Sequence, residues 1–102
     1  EGATKLSEAL ASNTTLQELI LRGCNIGDPG AMSLSKLLLL NSSLKELDLA
    51  GNCIGDEAAS NLADSLAVNP SLLALDLGSN DVNDKDVIQR IKGYLDRNQR
   101  CP

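Results

Sequence analysis

Three segments of the chain repeat one another at a spacing of 28 residues, beginning at Leu16, Leu44 and Leu72. Each fits L-x-x-L-x-L-x-x-(N/C)-x-(I/V). The residues at the ninth place are Cys24, Asn52 and Asn80. A period of this length indicates one supersecondary unit per repeat, which cannot bury its apolar face alone and must stack on its neighbours. We therefore expect an extended binding surface rather than a deep catalytic pocket.

Each unit predicts a short strand followed by a helix. The leucines at places four and six point to the same side of a strand, because side chains alternate along it. Asp28, Asp56 and Asp84 follow at the positions where helix N-caps are expected. Apolar residues then recur at helical spacing. The predicted helices cover residues 30–40, 58–68 and 85–97.

The repeats divide the chain into a single domain over residues 1–102. Residues 1–14 fit the helical half of a partial repeat, 15–42 and 43–70 are full repeats, and 71–102 is a terminal repeat with a C-terminal capping helix. Because the chain begins in mid-repeat, we expect it to be the C-terminal part of a longer protein. The alternative is a small protein that self-associates through the edge strand at residues 16–21.

The composition restricts the chemistry. The chain has no histidine, which excludes a His-based catalytic triad, and its three cysteines lack metal-ligand spacing. We expect Cys24 to be a buried thiol that bonds the loop from inside, and Cys53 to be partly exposed. Free thiols favour a reducing compartment, so a cytoplasmic location is predicted. The longest apolar run is far shorter than a membrane span.

Three other kinds of site are not expected from the sequence. The acidic segment at 81–86 lacks the glycine and the glutamate of an EF-hand loop, so no metal and no cofactor are expected. The basic last helix has Tyr94 as its only aromatic residue, which argues against nucleic acid. Glycosylation sequons begin at Asn13 and Asn41, and they are discounted because no secretory signal is visible.

The period, the strand at 44–49 and the loop-to-helix junction at 54–59 (Ile-Gly-Asp-Glu-Ala-Ala) resemble the ribonuclease-inhibitor-like subfamily of leucine-rich repeats. The junctions at 13–16 and 41–44 look most like those of NOD-like receptors and related intracellular proteins. The subfamily also includes GTPase activators, tropomodulin-like actin regulators and ciliary proteins. The resemblance implies an α/β leucine-rich repeat solenoid, a segment of a right-handed horseshoe. Parallel strands would line its concave face and helices its convex face, with protein ligands on the concave face or its rim.

The candidate binding residues alternate with the inward leucines on the strands. They are Glu18, Ile20, Arg22, Glu46, Asp48 and Asp76. Parallel neighbours lie about 4.8 Å apart, so Glu18 is expected beside Glu46, and Asp48 beside Asp76. Such like charges favour the approach of a cationic partner. The alternative is an acidic, solvated face that contacts nothing in particular.

These observations predict a non-catalytic protein–protein interaction module, part of an intracellular sensor or scaffold, that binds a basic protein surface through an acidic concave face. Two alternatives stay open. One is an enzyme regulator of the ribonuclease-inhibitor or GTPase-activator type, and the other is a structural element of a ciliary or cytoskeletal assembly. An enzyme is not expected, since the chain has no histidine and no phosphate-binding G-x-x-x-x-G-K-[ST] loop.

Overall fold

The computed structural model of the protein describes residues 15–100, so the half-repeat expected at 1–14 lies outside the described residues. Strands and helices alternate in this α/β structure, and the strands form one parallel sheet in the order β1-β2-β3. Each parallel pair needs a crossover, which the intervening helix supplies. The elements are β1 (Glu18–Ile20), α1 (Gly27–Leu40), β2 (Glu46–Asp48), α2 (Asp56–Val68), β3 (Ala74–Asp76) and α3 (Lys85–Arg100).

The strand register follows the sequence period. Leu19 pairs with Leu47, and Leu47 pairs with Leu75, each 28 residues further along the chain. Equivalent residues of consecutive repeats therefore lie side by side across the sheet. A slip of one residue would move every leucine to the opposite face, which is why the pattern specifies the register strongly.

The apolar core lies between the sheet and the helices. The central repeat is buried most completely, with Leu47 at 2% exposure and both Leu49 and Ile54 at 0%. Small helix residues such as Ala59 and Ala63, both at 0%, let α2 pack closely against this layer. A core of aliphatic and small side chains therefore fills thin repeating layers without phenylalanine or tryptophan.

Asparagines at the ninth place join consecutive repeats. Asn52 is fully buried, and its Oδ1 accepts the N–H groups of Cys24 at 2.8 Å and Ile26 at 3.1 Å. Its Nδ2 donates to the carbonyl of Leu21 at 2.8 Å. Asn80 repeats these bonds to the loop of the central repeat, at 2.8 and 3.0 Å. Each asparagine side chain thus bonds backbone groups in the loop of the preceding repeat, which would otherwise be left without partners.

A second set of asparagines joins the repeats where the helices end. Asn41 and Asn69 follow the last residues of α1 and α2, and their Oδ1 atoms accept N–H groups of the next turn. The Nδ2 of Asn69 also donates to the carbonyl of Leu38 at 2.7 Å. Asn98 of α3 does the same for the preceding repeat, donating to the carbonyl of Asn69 at 2.9 Å.

The predicted role of the three aspartates as N-caps was right for one of them. Asp84 accepts the N–H groups of Asp86 and Val87 and caps α3. Asp28 instead accepts the N–H of Gly55 at 2.7 Å, and Asp56 accepts those of Asn83 and Asp84 at 2.6 and 2.9 Å. Neither α1 nor α2 has a side-chain cap. These two carboxylates bond the loop of the following repeat instead of capping their own helices, and the sequence pattern does not show that contact.

The helices also extend beyond the predicted ranges. α1 begins at Gly27 rather than at 30, α2 begins at Asp56 rather than at 58, and α3 continues to Arg100 rather than ending at 97. The pair Arg97-Asn98 therefore lies inside α3. The Arg97 guanidinium donates to the carbonyls of Leu66 at 3.1 Å and Ala67 at 2.9 Å. A cation on the last carbonyls of α2 complements the negative end of that helix.

Replacing Leu49 by alanine should reduce the free energy of unfolding by about 2–5 kcal/mol, because the fully buried site has little room to relax. Chemical denaturation measures the loss. Ile20→Ala is the matched control, since Ile20 is 59% exposed and its truncation should cost under about 0.5 kcal/mol. Equal losses at the two positions would contradict the register.

Replacing Asn52 by alanine should cost about 2–5 kcal/mol, because the Cys24 and Ile26 N–H groups and the Leu21 carbonyl lose their partner. Asn61→Ala, on the half-buried surface of α2, is the matched control and should change stability little. Thermal or urea denaturation of both variants compares them, and a stable Asn52→Ala protein would show that the amide is not the link between repeats.

Candidate functional site

One face of the sheet carries no helix and is called here the open sheet face. Its residues alternate along the strands with the leucines that enter the core. They are Glu18, Ile20, Glu46, Asp48, Ala74 and Asp76. Five of the six predicted site residues therefore lie together on this face, and Arg22 follows directly after β1. Ala50, two residues beyond Asp48, is buried at 4% exposure.

The parallel register places like charges next to each other, as predicted. Glu18 pairs with Glu46, and Asp48 pairs with Asp76. Two carboxylates on adjacent strands repel each other, and the repulsion falls when a proton or a cation lies between them. The row of carboxylates is therefore real, while its role in binding stays a prediction.

Glu18 and Glu46 interact directly. A side-chain hydrogen bond to Glu46, and then the negative charge of Glu46, raise the pKa of the Glu18 carboxyl above its ordinary value. A hydrogen bond between two carboxyl groups requires that one of them holds a proton. Within residues 15–100, neither carboxylate accepts a hydrogen bond from a backbone N–H. This pair is therefore the part of the face that is free to respond to a cation.

Asp48 and Asp76 have a structural role that the sequence analysis missed. Oδ1 of Asp48 accepts the N–H of Ala50 at 3.1 Å, and Oδ1 of Asp76 accepts the N–H of Gly78 at 2.8 Å. Both bonds span two residues and fix the turn that follows the strand. The repeated Asp-Leu-Ala and Asp-Leu-Gly sequences carry this signal, since an aspartate that bonds two residues ahead is a common turn former.

Arg22 reduces the negative charge of the face at one point. Its Nη1 lies 3.3 Å from Oδ2 of Asp48, in an ion pair whose arginine side chain is 62% exposed. Such a pair adds little stability. Both carboxylate oxygens of Asp48 are therefore engaged, because Arg22 lies at Oδ2 and the N–H of Ala50 donates to Oδ1. On this face, the carboxylates without a cationic partner among residues 15–100 are those of Glu18, Glu46 and Asp76.

Ile20 is the apolar residue of the face. It is 59% exposed and lies beside Asp48 in the register. The strand residues surround a broad depression of about 470 Å³, whose walls include the side chains of Glu18, Glu46 and Asp76. An exposed aliphatic side chain at the edge of a carboxylate-lined depression suits a protein surface that carries both cationic and apolar groups.

A second depression, which the sequence analysis did not predict, lies between α1 and α2. Its volume is about 500 Å³, and Met32, Leu39 and Lys36 from α1 face Asn61 and Asp64 from α2. Met32 is 45% exposed and Leu39 is 56% exposed. In the run of four leucines at 37–40, Leu37 and Leu38 are buried in the core, whereas Leu39 and Leu40 are exposed.

The predicted burial of the Cys24 thiol was wrong. Cys24 and Cys53 are both exposed free cysteines. Asn52 and Asn80 are held because each bonds the loop of the preceding repeat. Cys24 lies at the β1 side of the sheet, where no loop of the described residues precedes it, and its Sγ donates only to the carbonyl of Arg22 at 3.5 Å.

The structure gives observations on metal ligands, on the Asn41 sequon and on membrane spans. Across residues 15–100, no group of three or more Cys, Asp or Glu side chains is placed to hold a metal ion. Asn41, the acceptor of one sequon, is 6% exposed, with its Oδ1 bonded to the N–H groups of Ser43 and Leu44. Over the same described range, none of the helices is long and apolar enough to cross a membrane.

Comparison with known proteins agrees with the repeat pattern. The sequence matches the family described as Leucine Rich repeat at residues 12–35, 40–63 and 68–88. The chain belongs to the leucine-rich repeat family. No finer subfamily is shown by this match, and no curated protein matches the sequence.

Two solved structures resemble these leucine-rich repeats. "Leiomodin-1 Actin-Binding Site 2 (ABS2)" superimposes with a TM-score of 0.76 at 17% identity, covering 96% of this chain and 72% of that chain. The tropomodulin C-terminal domain of Caenorhabditis elegans gives a TM-score of 0.81 at 20% identity, covering 97% of this chain. The chain spans 60% of the length of that tropomodulin structure. At these identities the likeness shows the fold alone.

The pKa of Glu18 should fall toward its ordinary value when Glu46 is replaced by alanine, because both causes of the upward shift come from Glu46. NMR titration of the side-chain carboxyl carbon measures this. In the wild-type protein the raised pKa stabilises the fold below the ordinary glutamate pKa of about 4.3. That contribution is lost as the pH rises through the raised value. Glu57→Ala, on the helical side, should leave the Glu18 titration unchanged.

Proposed function

We propose that this leucine-rich repeat chain is a non-catalytic protein-interaction module that binds a basic protein surface through its open sheet face. The observation that carries the proposal is the pairing of Glu18 with Glu46 on the face that also carries Asp76, three carboxylates without a cationic partner within residues 15–100. A cation placed between Glu18 and Glu46 reduces their mutual repulsion, so binding gains more than a single ion pair.

The charge of the whole chain supports an approach by a basic partner. Residues 1–84 hold 12 acidic and 4 basic residues, whereas 85–102 hold 2 and 5. The negative charge is therefore concentrated in the repeats that carry the open sheet face. Such an asymmetry increases the rate at which a basic surface meets this face, and the effect weakens as salt is added.

We also propose that the chain around this site is divided into stacked repeats. Residues 1–14 would complete a partial repeat, 15–42 and 43–70 would be full repeats, and 71–102 would be the terminal one. Stacked in this way, ribonuclease-inhibitor-like repeats would curve into a right-handed solenoid with the open sheet face as its concave side. The exposed free thiols of Cys24 and Cys53 support a reducing, cytoplasmic location and an intracellular sensor or scaffold.

The proposal predicts that Glu46→Lys weakens the binding of a basic probe such as hexa-arginine by about tenfold, since a favourable charge becomes a repulsive one near the probe. NMR titration, which also maps the affected amides, measures the affinity at low and at moderate salt. Glu57→Lys makes the same charge change on the helical side and should leave the affinity nearly unchanged. Equal weakening by both variants would reduce the site to a net-charge effect and would refute it.

A second candidate function is a structural element of a cytoskeletal assembly. It is favoured by the likeness to leiomodin-1 actin-binding site 2 and to the tropomodulin C-terminal domain. Each of these structures superimposes on nearly the whole of this chain. Under this alternative the chain would bind actin. Co-sedimentation with filamentous actin, and titration of monomeric actin, separate the candidates. Binding that survives Glu46→Lys would favour the cytoskeletal role through another surface.

A further inference from the structure

The segment that follows β3 carries backbone donors without an acceptor among the described residues 15–100. In the first repeat, the N–H groups of Leu21 and Gly23 donate to the carbonyls of the next repeat at 2.8 and 2.9 Å. Those of Cys24 and Ile26 donate to Asn52. The central repeat makes the same four types of bond to its successor. The equivalent N–H groups of the third repeat find no acceptor among residues 15–100. They belong to Leu77, Ser79, Asn80 and Val82.

Apolar side chains line the same edge. Leu75, Leu77 and Val82 occupy the positions of Leu47, Leu49 and Ile54, which are 2%, 0% and 0% exposed in the central repeat. At the edge these side chains are only half-buried. With Ile88 and Leu95 of α3 they form a groove of about 240 Å³. The groove continues the interface by which each repeat receives the next one.

The terminal helix closes one corner of this edge and leaves the other open. Nε2 of Gln99 donates to the carbonyl of Leu73 at 2.7 Å, and Asn98 donates to that of Leu72 at 2.8 Å. These bonds replace, at the start of β3, what a following repeat would supply. The bonds from α3 thus satisfy the start of β3. The end of β3 offers backbone donors and an apolar groove, which together have the form of a strand-binding edge.

We propose that the edge from Leu77 to Val82 binds an extended strand of a partner protein, parallel to β3. The chain's own interfaces define its chemistry as L-x-L-x-x-N. Two leucines would fill the groove, strand carbonyls would accept from Leu77 and Ser79, and the asparagine would accept from Asn80 and Val82. This edge is separate from the open sheet face, so it would bind a second partner or a second segment of the same one.

A second copy of this chain fits the edge less well. Its first strand would present Cys24 where the pattern requires asparagine. A thiol is a weak donor and a weak acceptor, so it does not replace an amide that accepts two N–H groups and donates to a carbonyl. The net charge of −5 also opposes the approach of identical copies.

A peptide with the sequence of residues 44–55 and Cys53 replaced by serine tests the proposal, because that segment already binds the first repeat in this way. Titrated into the full chain, it should slow hydrogen exchange at the Leu77, Ser79, Asn80 and Val82 amides. The same peptide with Asn52→Ala should bind about tenfold more weakly, through the loss of two hydrogen bonds. Exchange at these four amides that is unchanged by either peptide would overturn the proposal.

Two protein variants locate the binding. Ile88→Lys places a charge at the half-buried wall of the groove and should abolish peptide binding, whereas Ile20→Lys on the open sheet face should leave it intact. The exchange measurement does not depend on either variant folding. Light scattering of the chain alone tests whether a second copy of the chain occupies the edge instead. A concentration-dependent assembly that protects the same four amides would identify a second copy instead and would refute a partner strand.

Discussion

The structure depends on the hydrogen bonds that an asparagine makes at the ninth place of the central and third repeats. Asn52 is completely buried, yet all of its polar atoms are bonded, to its own loop and to the loop of the repeat before it. A buried amide without those partners would destabilise the fold, whereas with them it fixes the distance and register between repeats. The leucines provide the free energy of burial and specify the register, and the asparagines add hydrogen bonds that a slipped register would not form.

This link also sets where chemistry can occur. Because equivalent residues stack across the sheet, any charge that the repeat places on the open face meets its own copy on the next strand. The Glu18–Glu46 pair is the direct result, and its hydrogen bond and then its charge repulsion raise the pKa of Glu18. At the other end of the stack, the N–H groups of Leu77, Ser79, Asn80 and Val82 have no acceptor within residues 15–100. Two candidate binding surfaces thus arise from one constraint, which is that each repeat is completed by its neighbour.

Several features could be predicted because they depend on spacing alone. The parallel register, the alternation of core leucines with exposed acids, and the asparagines at the helix ends follow from a 28-residue period. The destination of side chains that cross between repeats could not be predicted. Asp28 and Asp56 have the sequence context of N-caps, but they bond backbone N–H groups that lie 27 or 28 residues away. Local pattern and long-range partner compete for one carboxylate, and the sequence shows only the first.

By itself the sequence determined the family, the order of strand and helix, and the acidic character of the strand face, since each follows from which residue types recur at which interval. Tertiary structure decided which of those acids are free. It engaged Asp48 with Arg22 and with a turn, left Glu18 and Glu46 facing each other, and exposed Cys24. The physical reason is that a side chain's partners depend on the strands and loops packed against it, and these come from distant parts of the chain.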